Sequence, residues 1–128
     1  MIVVDTNVLA SLYLPTDYTA KAEDLLQHDP EWVAPTLWRS EFRNVLALYR
    51  RRKLLTLDQA LAIQTEAESL LRESEYMVIS VDVLQLVQQS KCSAYDCEFV
   101  ALAQSLSVPL ITMDKQILND FPTIAKPL

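Results

Sequence analysis

Four acidic side chains occupy positions from which they could meet in a single cleft. Asp5 directly follows one short apolar run and Asp114 closely follows another, whereas Glu41 and Asp96 lie in segments of helical period. In an α/β sheet the carboxyl ends of parallel strands share one edge, where ligands bind. A carboxylate cluster without histidine suits Mg²⁺ or Mn²⁺ rather than zinc, and close anions of this kind are tolerable only around a divalent cation. The pattern therefore predicts a metal site equipped for phosphodiester hydrolysis.

Each of these acids also has a purely structural interpretation. Asp is a good helix cap, so Asp5 or Asp114 could simply begin the helix that follows. Asp96 stands three residues after Ser93, a spacing that imitates a capping box and would make Asp96 a first-turn acid near the helix dipole. The combination of four acids is what favours a functional site over separate caps.

Glu41 is the acid that a structural role explains least well. It interrupts an otherwise apolar row at helical spacing, which we expect to face the sheet: Leu37, Glu41, Val45 and Leu48. Burying an unpaired charge costs several kcal/mol, so an inward carboxylate requires a cation, a hydrogen-bond network or a raised pKa. Arg39 and Arg43 are close in sequence, but residues two apart on a helix point to different sides.

The chain is acidic overall, with 11 Lys and Arg against 17 Asp and Glu and a net charge of −6. This balance argues against a broad basic face of the kind that grips DNA. The one concentrated run of positive charge follows the Glu41 segment and consists of Arg50, Arg51, Arg52 and Lys53. These cations could contact phosphates, or they could offset the dipole at a helix C-terminus.

Short apolar runs alternate with longer segments of helical period. The predicted strands are residues 2–4, 32–34, 77–79 and 110–111. The predicted helices are residues 17–27, 36–52, 57–74, 82–89 and 94–106. Thr56 and Gln59 form a capping box before the third helix. Because strands joined through helices pair in parallel, we expect an α/β fold, a three-layer sandwich with helices on both faces of a mostly parallel central sheet.

Length and composition predict a single domain over residues 1–128, since 51% of the residues are hydrophobic. Cys92 and Cys97 are too few for a disulfide framework or a four-ligand zinc site, which favours buried free thiols. The start of the chain lacks the basic region of a signal peptide, and no stretch reaches about 18 apolar residues. We therefore expect a cytoplasmic protein with no membrane segment, and His28, the only histidine, at its surface.

Four blocks of the sequence resemble the PIN-domain ribonucleases, and they are most similar to the VapC toxins of toxin–antitoxin pairs. The blocks are VVDTNVL at residues 3–9, LWRSEF at 37–42, YDCEFVALA at 95–103 and LITMD at 110–114. They follow the family's order and spacing over nearly the whole chain. The resemblance implies a PIN-like domain that is a metal-dependent endoribonuclease.

The same resemblance assigns roles to particular residues. It implies that Asp5, Glu41, Asp96 and Asp114 are the catalytic, metal-binding acids for Mg²⁺ or Mn²⁺, and that the Thr112 hydroxyl orders a water on the metal. It also implies an RNA substrate, a homodimer, and silencing by an antitoxin protein. The positions two and three residues after Asp114 lack the further acid of several relatives, which argues against a second tightly held metal ion.

Other functions are compatible with parts of the pattern. A phosphoacceptor receiver domain would also be acidic and α/β with a late Lys-Pro pair, but it requires two acids after the first strand and a further helix after that pair. A catalytically inactive PIN-like module that binds RNA or protein is the stronger alternative, although four unneutralised acids would be a liability in a pure binder. A stripe on the Glu41 helix is interpreted first as core or dimer seam and second as a surface for a partner helix: Trp38, Phe42, Val45 and Tyr49.

Overall fold

The computed structural model describes all 128 residues of the chain. Its five strands are β1 (Ile2–Val4), β2 (Trp32–Pro35), β3 (Glu75–Tyr76), β4 (Leu110–Thr112) and β5 (Ala125–Pro127). Its seven helices are α1 (Thr6–Tyr13), α2 (Thr19–His28), α3 (Trp38–Arg51), α4 (Leu57–Leu70), α5 (Ser80–Gln88), α6 (Ala94–Leu106) and α7 (Lys115–Asp120). All neighbouring strands pair in parallel, in the order β3-β2-β1-β4-β5. The α/β sandwich expected from the sequence is confirmed.

The strand order creates a crevice beside β1. From β1 the chain moves to one side of the sheet through β2 and β3, and it then returns to the other side through β4 and β5. Val3 pairs with Val33 of β2 and with Leu110 of β4, so β1 lies between these two strands. In sheets of this kind ligands bind outside the carboxyl ends at the point where the strand order reverses. Asp5 follows β1 and Thr112 ends β4, so both lie at this edge.

The helices that carry Glu41 and Asp96 are anchored in the hydrophobic core. Helix α6 packs across β1, β2 and β4, and its Phe99 is 1% exposed. Helix α3 buries Trp38, Phe42 and Leu46, and the Trp38 and Phe42 rings meet edge to face at 5.8 Å. Full burial of such a side chain contributes roughly 1.5–3 kcal/mol. The core interpretation of the α3 stripe is confirmed for Trp38 and Phe42, whereas Val45 and Tyr49 are only partly buried against the core.

The predicted strand at residues 77–79 is wrong. The strand in this region is β3, which ends at Tyr76, and Met77 and Ile79 have exposed fractions of 88% and 65%. These two apolar side chains lie on the protein surface and not in the sheet. The sequence pattern also does not predict α1, α7 and β5, because segments of eight, six and three residues carry too little periodicity.

Several smaller expectations hold. The capping box before α4 is present: Thr56 Oγ1 accepts the Gln59 N–H at 3.1 Å, and Gln59 Oε1 accepts the Thr56 N–H at 2.8 Å. Cys92 and Cys97 are buried free thiols. His28 is exposed at the end of α2. No helix has both the length and the apolar character that a membrane span requires.

Because the chain contains no glycine, ordinary residues adopt the left-handed backbone where helices end. Lys53 follows α3 with φ 59°, and Ser107 follows α6 with φ 56°. After α3, the Leu54 N–H donates to the Tyr49 carbonyl and the Lys53 N–H donates to the Arg50 carbonyl, which is a Schellman motif. A left-handed residue other than glycine costs roughly 1–2 kcal/mol. These helix ends therefore hold strain that glycine would remove.

Candidate active site

The four predicted acids line one cavity at the carboxyl edge of the sheet. Its volume is about 460 Å³. The lining residues are Asp5, Thr6, Asn7, Leu37, Ser40, Glu41, Asn44, Val45, Tyr95, Asp96 and Asp114. Thr112, the fifth predicted site residue, is fully buried and reaches the site through hydrogen bonds to Asp5 and Asp114. The structure thus brings all five residues together.

Asp5 is both a helix cap and a member of the site. It is the N-cap of α1, and its Oδ1 accepts the Thr6 N–H at 2.7 Å. Its Oδ2 accepts the Thr112 hydroxyl at 2.6 Å and the Asn7 amide at 3.4 Å. The carboxylate is only 7% exposed. The capping interpretation and the functional one are therefore compatible, because the same side chain serves the helix and the cavity.

Asp114 combines the two roles in the same way. It is the N-cap of α7, and its Oδ1 accepts the Ile117 N–H at 2.9 Å. Its own N–H donates to Thr112 Oγ1 at 2.9 Å. The Thr112 hydroxyl therefore connects the backbone of Asp114 with the carboxylate of Asp5.

Glu41 lies in the first turn of α3, and its partner is a hydroxyl rather than a cation. Its Oε1 accepts the Thr6 hydroxyl at 2.8 Å. Arg39, which the sequence offers as a neighbour, pairs instead with Glu75 at 2.6 Å and with Glu68 at 2.8 Å. A hydrogen bond between α1 and α3 therefore fixes one oxygen of Glu41.

The prediction that the row containing Glu41 faces the sheet is wrong. Glu41 and Val45 line the cavity, and Leu48 at the end of the row is 47% exposed. The side of α3 that faces the core is the neighbouring one, which carries Trp38 and Phe42. Leu37 and Val45 of this row form part of the cavity wall, so Glu41 belongs to the site for a different reason from the expected one.

Asp96 enters the cavity from the start of α6. Ser93 is the N-cap of that helix, and its Oγ accepts the Asp96 N–H at 3.1 Å. The expected spacing of cap and acid is therefore present, and the same first turn directs Asp96 to the cavity that Asp5 and Asp114 also line.

Burial raises the pKa of Asp5 to about 6, because a desolvated carboxylate is less stable in its charged form. Hydrogen bonds from Thr112 and Thr6 lower this pKa, and the negative charges of Glu41 and Asp96 raise it. Asp5 therefore carries a strongly perturbed carboxylate held by fixed donors.

Two other acids of the cavity are perturbed in the same direction. Burial raises the pKa of Glu41, with further contributions from the charges of Asp96 and Glu98, while the Thr6 hydrogen bond lowers it. Burial also raises the pKa of Asp96, with a contribution from Asp114. The acids destabilise one another in their charged forms, as expected for a site that binds a cation.

Sequence reasoning missed several polar residues of this site. The Thr6 hydroxyl donates to Glu41. Asn7 connects the residues that follow β1 and β4, because its amide donates to Asp5 while its Oδ1 accepts the Met113 N–H at 3.3 Å. The only available signal was their place beside Asp5 in the first motif. Ser40, Asn44 and Tyr95 also line the cavity, and only their spacing from Glu41 and Asp96 could have indicated them.

The donor set fits a hard divalent cation that keeps part of its water shell. All four acids present oxygen donors to the cavity, and no sulfur or imidazole ligand lines it. No three acidic, histidine or cysteine side chains are arranged so that they could ligate one ion together. Mg²⁺ is usually bound through one or two carboxylates and retains several waters. The residues present therefore suit Mg²⁺ or Mn²⁺ held by one or two carboxylates.

A parallel α/β sandwich with an acidic cavity at its strand-order reversal defines the structural class of this protein. The sequence model of the PIN domain matches residues 2–123. The chain therefore belongs to the PIN-domain family.

Individual relatives agree with this assignment. The chain is 30% identical over 129 residues to Ribonuclease VapC3 of Pyrobaculum aerophilum, with 98% of each chain covered. It is similar in structure to FitAcB from Neisseria gonorrhoeae, with a TM-score of 0.76, 17% identity and coverage of 98% and 96% of the two chains. A toxin–antitoxin complex from Klebsiella pneumoniae gives a TM-score of 0.70 at 17% identity and the same coverage. The two structural matches establish the fold.

Proposed function

We propose that this protein is a metal-dependent endoribonuclease, a hydrolase of RNA phosphodiester bonds, and the toxin of a toxin–antitoxin pair. The observation that carries the proposal is the convergence of Asp5, Glu41, Asp96 and Asp114 on one cavity. Family membership and 30% identity to a protein named as a ribonuclease support it. In an inactive binding module, four unneutralised acids around one cavity would be a liability, since burial and the charges of Glu41 and Asp96 raise the pKa of Asp5 to about 6.

The proposed reaction is direct hydrolysis. A bound Mg²⁺ or Mn²⁺ would supply an activated water and stabilise charge on the phosphoryl oxygens. The water oxygen bonds to phosphorus as the P–O3′ bond breaks, and the proton that a carboxylate of the site takes from the water passes to the departing 3′ oxygen. The products are a 5′-phosphate and a 3′-hydroxyl. The only histidine, His28, is exposed on α2, so the chain does not contain the histidine pair that would activate a 2′-hydroxyl.

Each acid of the cavity has its own role in the proposed reaction, and its hydrogen-bond partners determine that role. Both oxygens of Asp5 accept hydrogen bonds, so Asp5 presents a carboxylate of fixed orientation to the cation. Glu41 uses Oε1 for the Thr6 hydroxyl, which leaves Oε2 for the cation or for water. Asp96, with its raised pKa, can accept a proton from the attacking water. The Thr112 hydroxyl is committed to Asp5, so it acts on a water through that carboxylate.

In the proposed homodimer, a second copy of the chain covers the apolar surface around the start of α5. This surface consists of Met77, Ile79, Val81 and Leu84, which are 57% to 88% exposed. Contiguous exposed apolar patches mark interaction sites, and a two-fold dimer uses the same patch on both copies. Leu84→Glu should convert the dimer to a monomer in sedimentation velocity, whereas Leu61→Glu on α4 should not.

An antitoxin helix binds at the start of α4. Leu57 and Leu61 lie one turn apart and are each 56% exposed, and Leu54 beside them is 61% exposed. An amphipathic helix can place its apolar face on exposed leucines of this kind. Co-expression with the product of a neighbouring short reading frame should give a complex that Leu61→Glu weakens.

Product analysis tests the proposed activity. Purified protein with Mn²⁺ should cleave RNA to fragments with 5′-phosphate and 3′-hydroxyl ends, and EDTA should stop the reaction. Asp5→Asn and Asp96→Asn should each abolish cleavage without unfolding the protein, whereas Asp17→Asn, an exposed acid outside the cavity, should retain it. Mn²⁺ should also raise the melting temperature of metal-stripped wild type, because the cation binds only the folded state.

Several results would contradict the proposed ribonuclease activity. Cyclic-phosphate ends, or cleavage that persists in EDTA and in Asp114→Asn, would show that another mechanism or a contaminant is responsible. RNA binding by wild type without any cleavage at millimolar Mn²⁺ would favour the inactive binding module.

A further inference from the structure

The face of α3 that lines the cavity continues to the end of the helix. Glu41 and Val45 line the cavity, and Leu48, the next residue of this row, is 47% exposed. At about 100° per residue, Arg52 falls about 20° from Glu41, and Arg51 falls about 80° from Glu41 on the side that carries Ser40 and Asn44, which also line the cavity. Arg51 stands ten residues beyond Glu41, or about 15 Å along the helix axis. The acidic cavity and these two arginines therefore share one surface.

The charges of Arg51 and Arg52 are not neutralised within the chain. Both side chains are exposed, and neither forms an ion pair. Arg39 at the other end of α3 is, by contrast, paired with Glu75 and Glu68. Two unpaired guanidinium groups on a protein of net charge −6 create a local positive surface. Their planar donor groups are suited to phosphate oxygens.

The acidic cavity needs such a surface, because four carboxylates repel a polyanionic substrate. Phosphate contacts supply most of the sequence-independent affinity of proteins for nucleic acid. We infer that the α3 face ending in Arg51 and Arg52 binds the backbone of single-stranded RNA on one side of the scissile phosphate. This inference rests on the proposed ribonuclease function and adds the surface that holds its substrate.

The opposite side of α3 offers a matched control. Arg43 and Arg50 are also exposed and lie roughly 160–180° around the helix from Glu41. Arg50 donates to the Leu55 carbonyl at 3.0 Å. If the arginines served only to offset the helix dipole, Arg50 and Arg51 would contribute equally to the stability of the protein. If the arginines bind phosphate instead, only the cavity-side residues Arg51 and Arg52 should affect RNA binding.

The test compares the double variant Arg51→Gln/Arg52→Gln with Arg43→Gln/Arg50→Gln. The probe is fluorescein-labelled, mixed-sequence single-stranded RNA of about twelve nucleotides, because about five stacked nucleotides at roughly 3.4 Å each are needed to span the distance of about 15 Å. Its binding is measured by anisotropy in an Asp5→Asn background, and cleavage is measured in the active protein.

For the cavity-side pair, Kd and KM should rise roughly tenfold with kcat unchanged. The slope of log affinity against log salt should fall by about 1.4, since each phosphate contact on a single strand contributes about 0.7. The opposite-side pair should change Kd and KM by less than about twofold. Melting temperatures of the two pairs should be similar.

Three outcomes would overturn the inference. Equal losses of RNA affinity in both pairs would reduce the effect to general charge attraction. Unchanged RNA binding with a loss of melting temperature in both pairs would leave only the dipole role. Unchanged RNA binding with loss of an acidic protein partner would make the surface a protein interface. Failure of wild type to cleave any RNA would instead contradict the proposed function, and the anisotropy measurement would still test this surface.

Discussion

Thr112 donates its hydroxyl hydrogen to Asp5 Oδ2 at 2.6 Å, across 107 residues of sequence. The same hydroxyl oxygen accepts the Asp114 N–H at 2.9 Å. Because Thr112 is fully buried and has both partners, it holds the ends of β1 and β4 at a fixed separation. Thr112 is therefore a positioning residue for two of the acids.

Thr112→Val should damage the site without changing the shape of the core. The hydrogen bond from Thr112 lowers the pKa of Asp5, so its loss raises that pKa further. Since the proposed cleavage uses Asp5 in its charged form, the acid limb of the pH–rate profile should move to higher pH, and kcat should fall roughly tenfold. Thr112→Ser, which keeps the hydroxyl, should retain the wild-type profile. Identical profiles for the valine and serine variants would show that the hydroxyl has no positioning role.

The raised pKa of Asp5 predicts a pH-dependent stability in metal-free protein. A carboxyl whose pKa is about 6 when folded and 3.8 when unfolded stabilises the fold below pH 3.8, and that stability is lost as pH rises through 6. The loss amounts to about 3 kcal/mol between the two limits. Urea unfolding in EDTA should therefore show Asp5→Asn gaining most of this free energy, about 2.4 kcal/mol, relative to wild type between pH 4 and pH 7. Asp17→Asn is the control, and a parallel shift in that variant would contradict the assignment.

The sequence predicts the large elements of the fold because their signals are local. Helix α6 spans residues 94–106 in both prediction and structure, since its cap Ser93 and its long apolar run mark both ends. The error at Met77 and Ile79 has a physical cause: an apolar run of three residues looks the same in sequence whether it lies in a sheet or on the exposed surface.

The candidate site is predictable in its acids but not in the polar residues that hold them. Asp5 and Asp114 follow strands, and such positions meet at one edge of any parallel sheet. Glu41 was identified from a row that faces the cavity rather than the sheet. The hydrogen bonds of Thr6 to Glu41 and of Thr112 to Asp5 join residues 35 and 107 positions apart. Only the folded chain reveals such pairs.

The glycine-free helix ends predict a simple stabilising change. Ser107 ends α6 with φ 56°, a conformation that glycine adopts without a steric penalty. Ser107→Gly should raise the free energy of unfolding by about 0.5 kcal/mol, since relief of left-handed strain exceeds the added chain entropy. Ser105→Gly, on an exposed helical position of α6, should lower it by a similar amount, about 0.5 kcal/mol. Urea denaturation distinguishes the two, and losses in both variants would show that the end of α6 is unstrained.

Tyr95 is the only aromatic residue that lines the acidic cavity, and its side chain is 63% exposed. Bases of single-stranded RNA stack on such rings, at about 1–3 kcal/mol per base. Tyr95→Ala should therefore raise KM for single-stranded RNA roughly tenfold, with a smaller effect on kcat, because stacking holds the substrate rather than the reacting groups. Tyr95→Phe keeps the ring and should behave as wild type in the same steady-state assay. Equal losses in the alanine and phenylalanine variants would assign the effect to the hydroxyl. An unchanged KM in Tyr95→Ala would show that Tyr95 does not contact the RNA. Sedimentation velocity of the same variant would then show whether Tyr95 contacts the second copy instead.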